Sequence, residues 1–138
     1  MRYKIDFDAR ANTWCVTIAG RMEVADFRNV VRELWHHDGY LGADAAIWDM
    51  SKCAVDFGFE GISGFVDWLA DFKDDQGPYR VALIAPSDIG FGNSRIYAGM
   101  QGVRGFEIEV FRDRELVYQW IGDSALPDAI EDIDKPPD

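Results

Sequence analysis

The stretch "YRVALIAPSDIGFGNSRIY", residues 79–97, decides the fold. Its first part, "YRVALIA", is a short apolar run that predicts a buried strand. Pro86–Asp88 predicts a turn, and a glycine-rich helix is expected to follow as far as about Gln101. A buried strand that leads directly into a helix is the repeating unit of α/β folds with parallel sheets.

The rest of the chain alternates between strand and helix patterns in the same way. Two β-rich runs separated by "ARAN" predict an N-terminal hairpin, and the later segments follow singly. The other predicted elements are strands over 3–8 and 14–20, a helix over 23–35, a strand over 45–48, a helix over about 58–74, a strand over 106–111 and a final helix capped by Asp113. The order β-β-α-β-α-β-α-β-α predicts an α/β domain with a mixed, mostly parallel sheet flanked by helices.

Charge and hydropathy exclude several function classes. The net charge of −11 repels nucleic acid, which binds to basic surfaces. No apolar run is long enough to span a membrane, and the N-terminus lacks the apolar segment of a signal peptide. We therefore expect a cytoplasmic protein without integral membrane association. We assign residues 1–122 to the domain and 123–138 to an acidic C-terminal tail.

The cysteines and histidines do not predict a metal site or a cofactor. Cys15 is expected in a strand and Cys53 in a loop, and their spacing fits no metal or redox motif. His36 and His37 are adjacent in a predicted helix, where neighbouring side chains point about 100° apart. Because no third ligand has a matching spacing, we expect no metal and no cofactor.

Three stretches resemble the STAS domain, and more closely the stand-alone SpoIIAA-like bacterial proteins. They are "AIWDMS" at 46–51, "RVALIAPSDIGFGNSRIY" at 80–97 and "IEVFRDRELVYQWI" at 108–121. The SpoIIAA-like proteins are often grouped with the CRAL-TRIO lipid-transfer fold. Together with the order of the elements, the resemblance covers nearly the whole chain to Gly122 and implies a STAS-like fold.

The resemblance argues against one known regulatory chemistry. Phosphoswitch STAS domains carry a serine where the helix after the third strand begins, and a phosphoryl group there would lie at the positive end of the helix dipole. The corresponding residues here are Asp56, Phe57 and Gly58, so both hydroxyl positions are lost. Ser51 corresponds to an earlier residue of the loop. We therefore expect no phosphorylation cycle at this place.

The second predicted helix has more apolar surface than one sheet contact needs. Its aromatic residues extend beyond the core stripe, and Gly61 and Gly64 suggest a close approach by a ligand or another backbone. A covering segment such as the C-terminal tail is the alternative. The expected ligand- or partner-binding residues are Phe59, Phe65, Trp68 and Phe72 of this helix, with Phe91, Arg95 and Tyr97 of the next helix.

Asp49 and Ser51 are placed by the sequence at the carboxyl end of a strand, where open α/β sheets collect ligands. The alternative is a turn in which their oxygens cap nearby N–H groups. Arg95 could clamp a carboxylate or a phosphate, or it could pair with Asp49 or Asp88 and only hold loops together. If Asp49, Ser51 and Arg95 converge, they could form an active site.

Three functions follow from this sequence. The first is a non-catalytic module that binds an apolar or amphipathic small molecule or docks a regulatory protein. The second is a homodimer in which the aromatic flank of the second helix pairs with its copy. The third is an enzyme that uses Asp49, Ser51 and Arg95, with no other catalytic residue indicated.

Overall fold

The computed structural model describes residues 1–40, 42–55, 57–71, 78 and 80–121. The predicted acidic tail lies outside these residues. Within them, five strands and four helices follow each other in the predicted order, which confirms the α/β class. The strands are β1 (Arg2–Asp8), β2 (Thr13–Met22), β3 (Ala45–Val55), β4 (Arg80–Ile84) and β5 (Glu107–Phe111), and the helices are α1 (Val24–Trp35), α2 (Phe59–Ala70), α3 (Asp88–Gly102) and α4 (Arg114–Ile121).

The strands form one sheet in the order β1-β2-β3-β4-β5. β1 pairs antiparallel with β2, and the other three pairings are parallel, so the sheet is mixed and mostly parallel as predicted. Parallel crossovers are right-handed, and the strands follow one another across the sheet. The helices α1, α2 and α3 therefore lie on the same face, which we call the three-helix face. α4 packs against β4 and β5 on the other face, the α4 face.

β3 is much longer than the sequence indicated. It runs from Ala45 to Val55 because β2 pairs with it along this whole length, as far as Met22 opposite Val55. The expectation that Asp49 and Ser51 follow the strand, and that Cys53 lies in a loop, is therefore wrong. Hydrogen bonding to a neighbouring strand satisfies the backbone of polar residues that a propensity argument assigns to a loop.

A β-bulge interrupts the pairing of β2 and β3 and changes which side chains face the helices. Thr17 is opposite Asp49, but Ala19 is opposite Lys52, so β3 has one extra residue there. An extra residue reverses the alternation of side chains beyond it. As a result, side chains on both sides of the bulge, Met50 and Cys53, lie on the three-helix face.

The two glycines of α2 have different surroundings. A Cβ at Gly61 would lie 2.6 Å from the Phe57 Cβ, so the absence of a side chain lets the Phe57 ring pack against the helix. A Cβ at Gly64 would meet no heavy atom within 4 Å. Close packing therefore accounts for Gly61, while nothing in the structure explains Gly64.

Alanine substitution should separate these two glycines. We expect Gly61→Ala to lower the free energy of unfolding by about 1–3 kcal/mol, because the Phe57 ring must move. Gly64→Ala should raise it by about 1 kcal/mol, because alanine favours the helix and meets open space. Urea unfolding followed by circular dichroism measures both. Equal effects of the two substitutions would contradict this account of Gly61.

Candidate functional site

A cavity of about 420 Å³ lies between the three-helix face of the sheet and the helices that cover it. The floor of the cavity includes Trp48 and Met50 of β3 and Val81 of β4. These residues are only partly buried although helices cover this face of the sheet. Large rings dominate the walls. The aromatic lining residues are Phe27, Trp35, Tyr40, Trp48, Phe57, Phe65, Tyr97 and Phe106.

Phe27 of α1 is the centre of the aromatic wall. Its ring centroid lies 5.7 Å from that of Phe57, 6.1 Å from that of Phe65 and 6.2 Å from that of Trp48. Phe65 is in turn 6.0 Å from the Tyr97 ring of α3. These distances are typical of attractive aromatic pairs, so the wall is a continuous network across three helices and the sheet.

The cavity reaches the surface where α3 begins. Ser87 and Ala54 line it and are exposed, and the Ile89 side chain, which also lines it, is 75% exposed. At the other end of α3, Gln101 and Tyr40 line the cavity and are 1% and 6% exposed. The cavity therefore has an open end beside Ile89 and Ser87 and a buried end that contains Gln101 and Tyr40.

A hydrogen-bonded network occupies the buried end. The Arg104 guanidinium donates to the Gln101 Oε1 at 3.1 Å, and the Gln101 Nε2 donates to the Tyr97 hydroxyl at 3.2 Å. Burial raises the pKa of Tyr97, and it also raises the pKa of Tyr40, with a further contribution from the neighbouring Tyr97. Both phenols therefore keep their protons at neutral pH. Among the described residues that line the cavity, none is charged.

The predicted binding residues of the second helix lie in different surroundings. Phe65 lines the cavity and is 8% exposed. Trp68 does not line it: its ring stacks on Trp35 at 5.8 Å, and the guanidinium of Arg32 lies 5.2 Å from it. Phe59 is 61% exposed at the first turn of α2. Phe72 lies outside the described residues.

The predicted residues of α3 divide in the same way. Tyr97 lines the cavity, whereas Phe91 and Arg95 lie in a shallow groove between α3 and β5. Arg95 is exposed, and its guanidinium lies 6.0 Å from the Phe91 ring. The expected ion pairs of Arg95 are not formed, because Asp49 pairs with Arg114 and Asp88 pairs with Arg112 in the described structure.

Asp49 lies on the α4 face and is 1% exposed. One carboxylate oxygen accepts a hydrogen bond from the Arg114 Nη1 at 3.1 Å. The other accepts from the Ser51 backbone N–H at 3.0 Å and from the Ser51 hydroxyl. The sheet separates this pair from Arg95 on α3. The three residues proposed for an active site are therefore not brought together.

Sequence reasoning missed much of the cavity wall. The sequence predicts Trp48 within a strand and Phe57 just before the second helix, while Tyr40 lies between two predicted elements, so none of the three is predicted to line a cavity. Gln101 follows Tyr97 by four residues, which places both on one side of a helix. That spacing was the available signal for the network, whereas the approach of Tyr40 depends on the tertiary structure.

Comparison with known proteins identifies the fold. No protein-family model and no curated protein matches the sequence. The solved structure of the anti-sigma factor antagonist SpoIIAA in its unphosphorylated form matches with a TM-score of 0.51 and 12% identity, over 90% of this chain and 100% of that chain. An anti-sigma factor antagonist from Mycobacterium paratuberculosis matches with a TM-score of 0.47 and 10% identity, over 87% and 94% of the two chains. The first match shows a STAS-like fold, as the resemblance implied.

Within the described part of the chain, no helix is both long and apolar enough to cross a membrane. The same residues contain no group of three His, Cys, Asp or Glu side chains that could hold a metal ion.

The Asp49–Arg114 ion pair should be much more important for stability than the exposed Asp88–Arg112 pair. We expect Asp49→Asn to lower the free energy of unfolding by about 3 kcal/mol, because the charge of Arg114 loses its buried partner. The same change at the exposed Asp88, Asp88→Asn, should lower the free energy of unfolding by less than about 1 kcal/mol. Urea unfolding of both variants measures the difference, and equal costs would contradict the structural role of Asp49.

The reaction rate of the Cys53 thiol measures how far the cavity is shielded from water, because Cys53 lines the cavity wall. Burial raises its pKa to about 11, so its reaction with iodoacetamide should be slow at pH 8. The rate should rise by about tenfold per pH unit up to pH ~10, since the thiolate is the reactive form. Peptide mass spectrometry distinguishes Cys53 from Cys15, which is 1% exposed. A rate that levels off near pH 9 would show an ordinary, solvated thiol.

Proposed function

We propose that this chain is a non-catalytic, cytoplasmic binding domain that holds an apolar or amphipathic small molecule. The observation that carries the proposal is the cavity of about 420 Å³ on the three-helix face. Its size falls within the range of small-molecule sites, which are mostly apolar and contain a few placed polar groups. The aromatic wall and the network at Tyr97 fit that description.

The energetics of packing support this function. Protein interiors are normally filled to the density of organic crystals. The side chains around the cavity lack these packing contacts on the side that faces it. A ligand with an apolar body would make these contacts.

Regulation by phosphorylation at the start of α2 is not part of this proposal. The N-cap residue of α2 is Gly58, which has no hydroxyl group. Asp56 precedes it in the sequence and lies outside the described residues. The nearby Ser51 donates its hydroxyl hydrogen to Asp49 within β3. The enzymatic alternative has lost its basis as well, because Asp49 and Arg95 lie on opposite sides of the sheet.

Docking of a regulatory protein is a second candidate function. The observation in its favour is that Phe59 and Ile89, at the first turns of α2 and α3, are 61% and 75% exposed. Both helices follow parallel strands and therefore begin at the same edge of the sheet. SpoIIAA, which shares the fold, is an anti-sigma factor antagonist. The homodimer stays a prediction, although Trp68 is already covered by Trp35.

Binding of a hydrocarbon dye tests the cavity directly. Diphenylhexatriene has no polar atoms and fluoresces strongly in apolar surroundings, so we expect it to bind to the purified protein. Met50→Trp should weaken this binding by about tenfold, because an indole on the cavity floor occupies the ligand space. Val103→Trp is the matched control, since Val103 is 89% exposed and does not line the cavity.

Urea unfolding of both tryptophan variants shows whether they remain folded. Equal dye binding by wild type and folded Met50→Trp would overturn the proposal, as would no binding at all to the wild type. If light scattering instead shows a dimer that substitutions at the exposed residues Phe59 and Ile89 abolish, the homodimer becomes the better function.

A further inference from the structure

The network at the buried end of the cavity has a fixed direction. An arginine side chain has only donors, so the Gln101 oxygen must accept from Arg104 at 3.1 Å. The Gln101 amide nitrogen then faces Tyr97 and donates to its hydroxyl oxygen at 3.2 Å. Because Gln101 donates to that oxygen, the Tyr97 hydroxyl hydrogen is left to donate to a different group. Among the described residues, none accepts it.

Tyr40 adds a second donor at the same place. It comes from the loop after α1, its side chain lines the cavity, and it is 6% exposed. Its hydroxyl forms no hydrogen bond with the described part of the chain, and it lies close enough to Tyr97 for the two groups to interact electrostatically. Burial raises the pKa of both phenols, so each remains a donor at neutral pH. Both side chains line the cavity, so a ligand oxygen placed there could accept from both hydroxyls.

We infer that the cavity selects an amphipathic molecule whose apolar body ends in a hydrogen-bond-accepting oxygen group, which the hydroxyls of Tyr97 and Tyr40 bind. The inference deepens the proposed ligand-binding function and rests on it. Gln101 and Arg104 are positioning residues, because they direct the Tyr97 hydrogen without contacting the ligand oxygen in this scheme. The oxygen of a carboxyl, an ester or a ketone can accept a hydrogen bond from each of the two hydroxyls.

The shape of the cavity fits this orientation. Ile89 at the open end and Tyr97 at the buried end are about 12 Å apart along α3, at ~1.5 Å per residue. An alkyl chain that starts at Tyr97 would therefore run along the helix towards the surface. An ammonium group at Tyr97 would leave both hydroxyl hydrogens without an acceptor. It would also find no carboxylate among the described lining residues.

Three twelve-carbon probes test the inference: dodecanoate, methyl dodecanoate and dodecylammonium, each below its micelle concentration. Each probe competes with bound diphenylhexatriene, and the loss of dye fluorescence gives its affinity. We expect both oxygen probes to bind at least about tenfold more tightly than the ammonium, since a tenfold ratio needs about 1.4 kcal/mol of difference. The net charge of −11 favours the opposite order, so general electrostatics would not produce this result.

Substitution of the tyrosines identifies the groups responsible. Tyr97→Phe should lower the affinity for both oxygen probes by about tenfold, because it removes one hydrogen-bond donor. The affinities for the dye and for the ammonium probe should stay the same, because the aromatic ring is kept. Tyr40→Phe should act in the same direction. Tyr3→Phe is the matched control, since Tyr3 lies on β1 and does not line the cavity. Comparing dodecanoate with its methyl ester shows whether the site prefers a charged or a neutral oxygen group.

Gln101→Glu tests the direction of the network. A carboxylate accepts from both Arg104 and Tyr97, so the Tyr97 hydrogen would turn away from the cavity. We expect this variant to lose the preference of the wild type for oxygen probes, measured as the ratio of probe affinities relative to the dye affinity of the same variant. Gln101→Met should weaken that preference less, because Tyr97 can still donate to the ligand.

The outcomes separate the two proposals. If the dye and all three probes fail to bind to the wild type, the ligand-binding function itself is wrong. If the dye binds but the three probes compete equally in the wild type and in Tyr97→Phe, the ligand-binding function stands and the oxygen selectivity is wrong. Stronger binding of dodecylammonium than of dodecanoate would overturn the inference in the same way.

Discussion

The handedness of the parallel crossovers is the constraint on which the rest of this structure depends. Each strand from β2 to β5 lies beside the preceding one, so right-handed connections place all three intervening helices on one face. That face is covered by α1, α2 and α3, while α4 packs on the other face. The cavity, the aromatic wall and the tyrosine network all lie on the three-helix face. A different strand order would have distributed these helices over both faces.

Rigid aromatic side chains explain how an open space persists under three helices. The ring of Phe27 lies at centroid distances between 5.7 Å and 6.2 Å from the rings of Phe57, Phe65 and Trp48. Aromatic rings have few rotamers and cannot fold into a neighbouring space as a flexible methionine can. The network therefore supports the helices at the edges of the cavity, and the residues on its floor remain partly exposed. Gly61 contributes by giving the Phe57 ring its place against α2.

The two faces of the sheet bury polar groups in different ways. On the α4 face, the carboxylate of Asp49 accepts hydrogen bonds from Arg114 and Ser51, so the pair joins α4 to the sheet. On the three-helix face, Tyr97 accepts a hydrogen bond from Gln101 beside the cavity, and its own hydroxyl hydrogen has no acceptor among the described residues. We propose that a ligand oxygen is that acceptor, whereas Asp49 has a structural role. This contrast separates the structural residue Asp49 from the candidate binding residue Tyr97, which the sequence alone grouped together.

The sequence by itself determined the order of strands and helices and the mixed sheet, because periodicity, caps and turns are local properties. The STAS-like fold was implied by the resemblance of three stretches to that family, and the match to SpoIIAA shows it. Asp113 caps α4 as predicted: its carboxylate accepts a hydrogen bond from the Glu115 N–H at 2.9 Å. The tertiary structure alone decided that β3 continues to Val55, because the bonds that extend it come from β2. It also decided that Asp49 pairs with Arg114 and that Tyr40 lies near enough to Tyr97 for the two to interact electrostatically. Such contacts join residues far apart in the chain, and their geometry follows from how helices pack on a sheet and not from any local pattern.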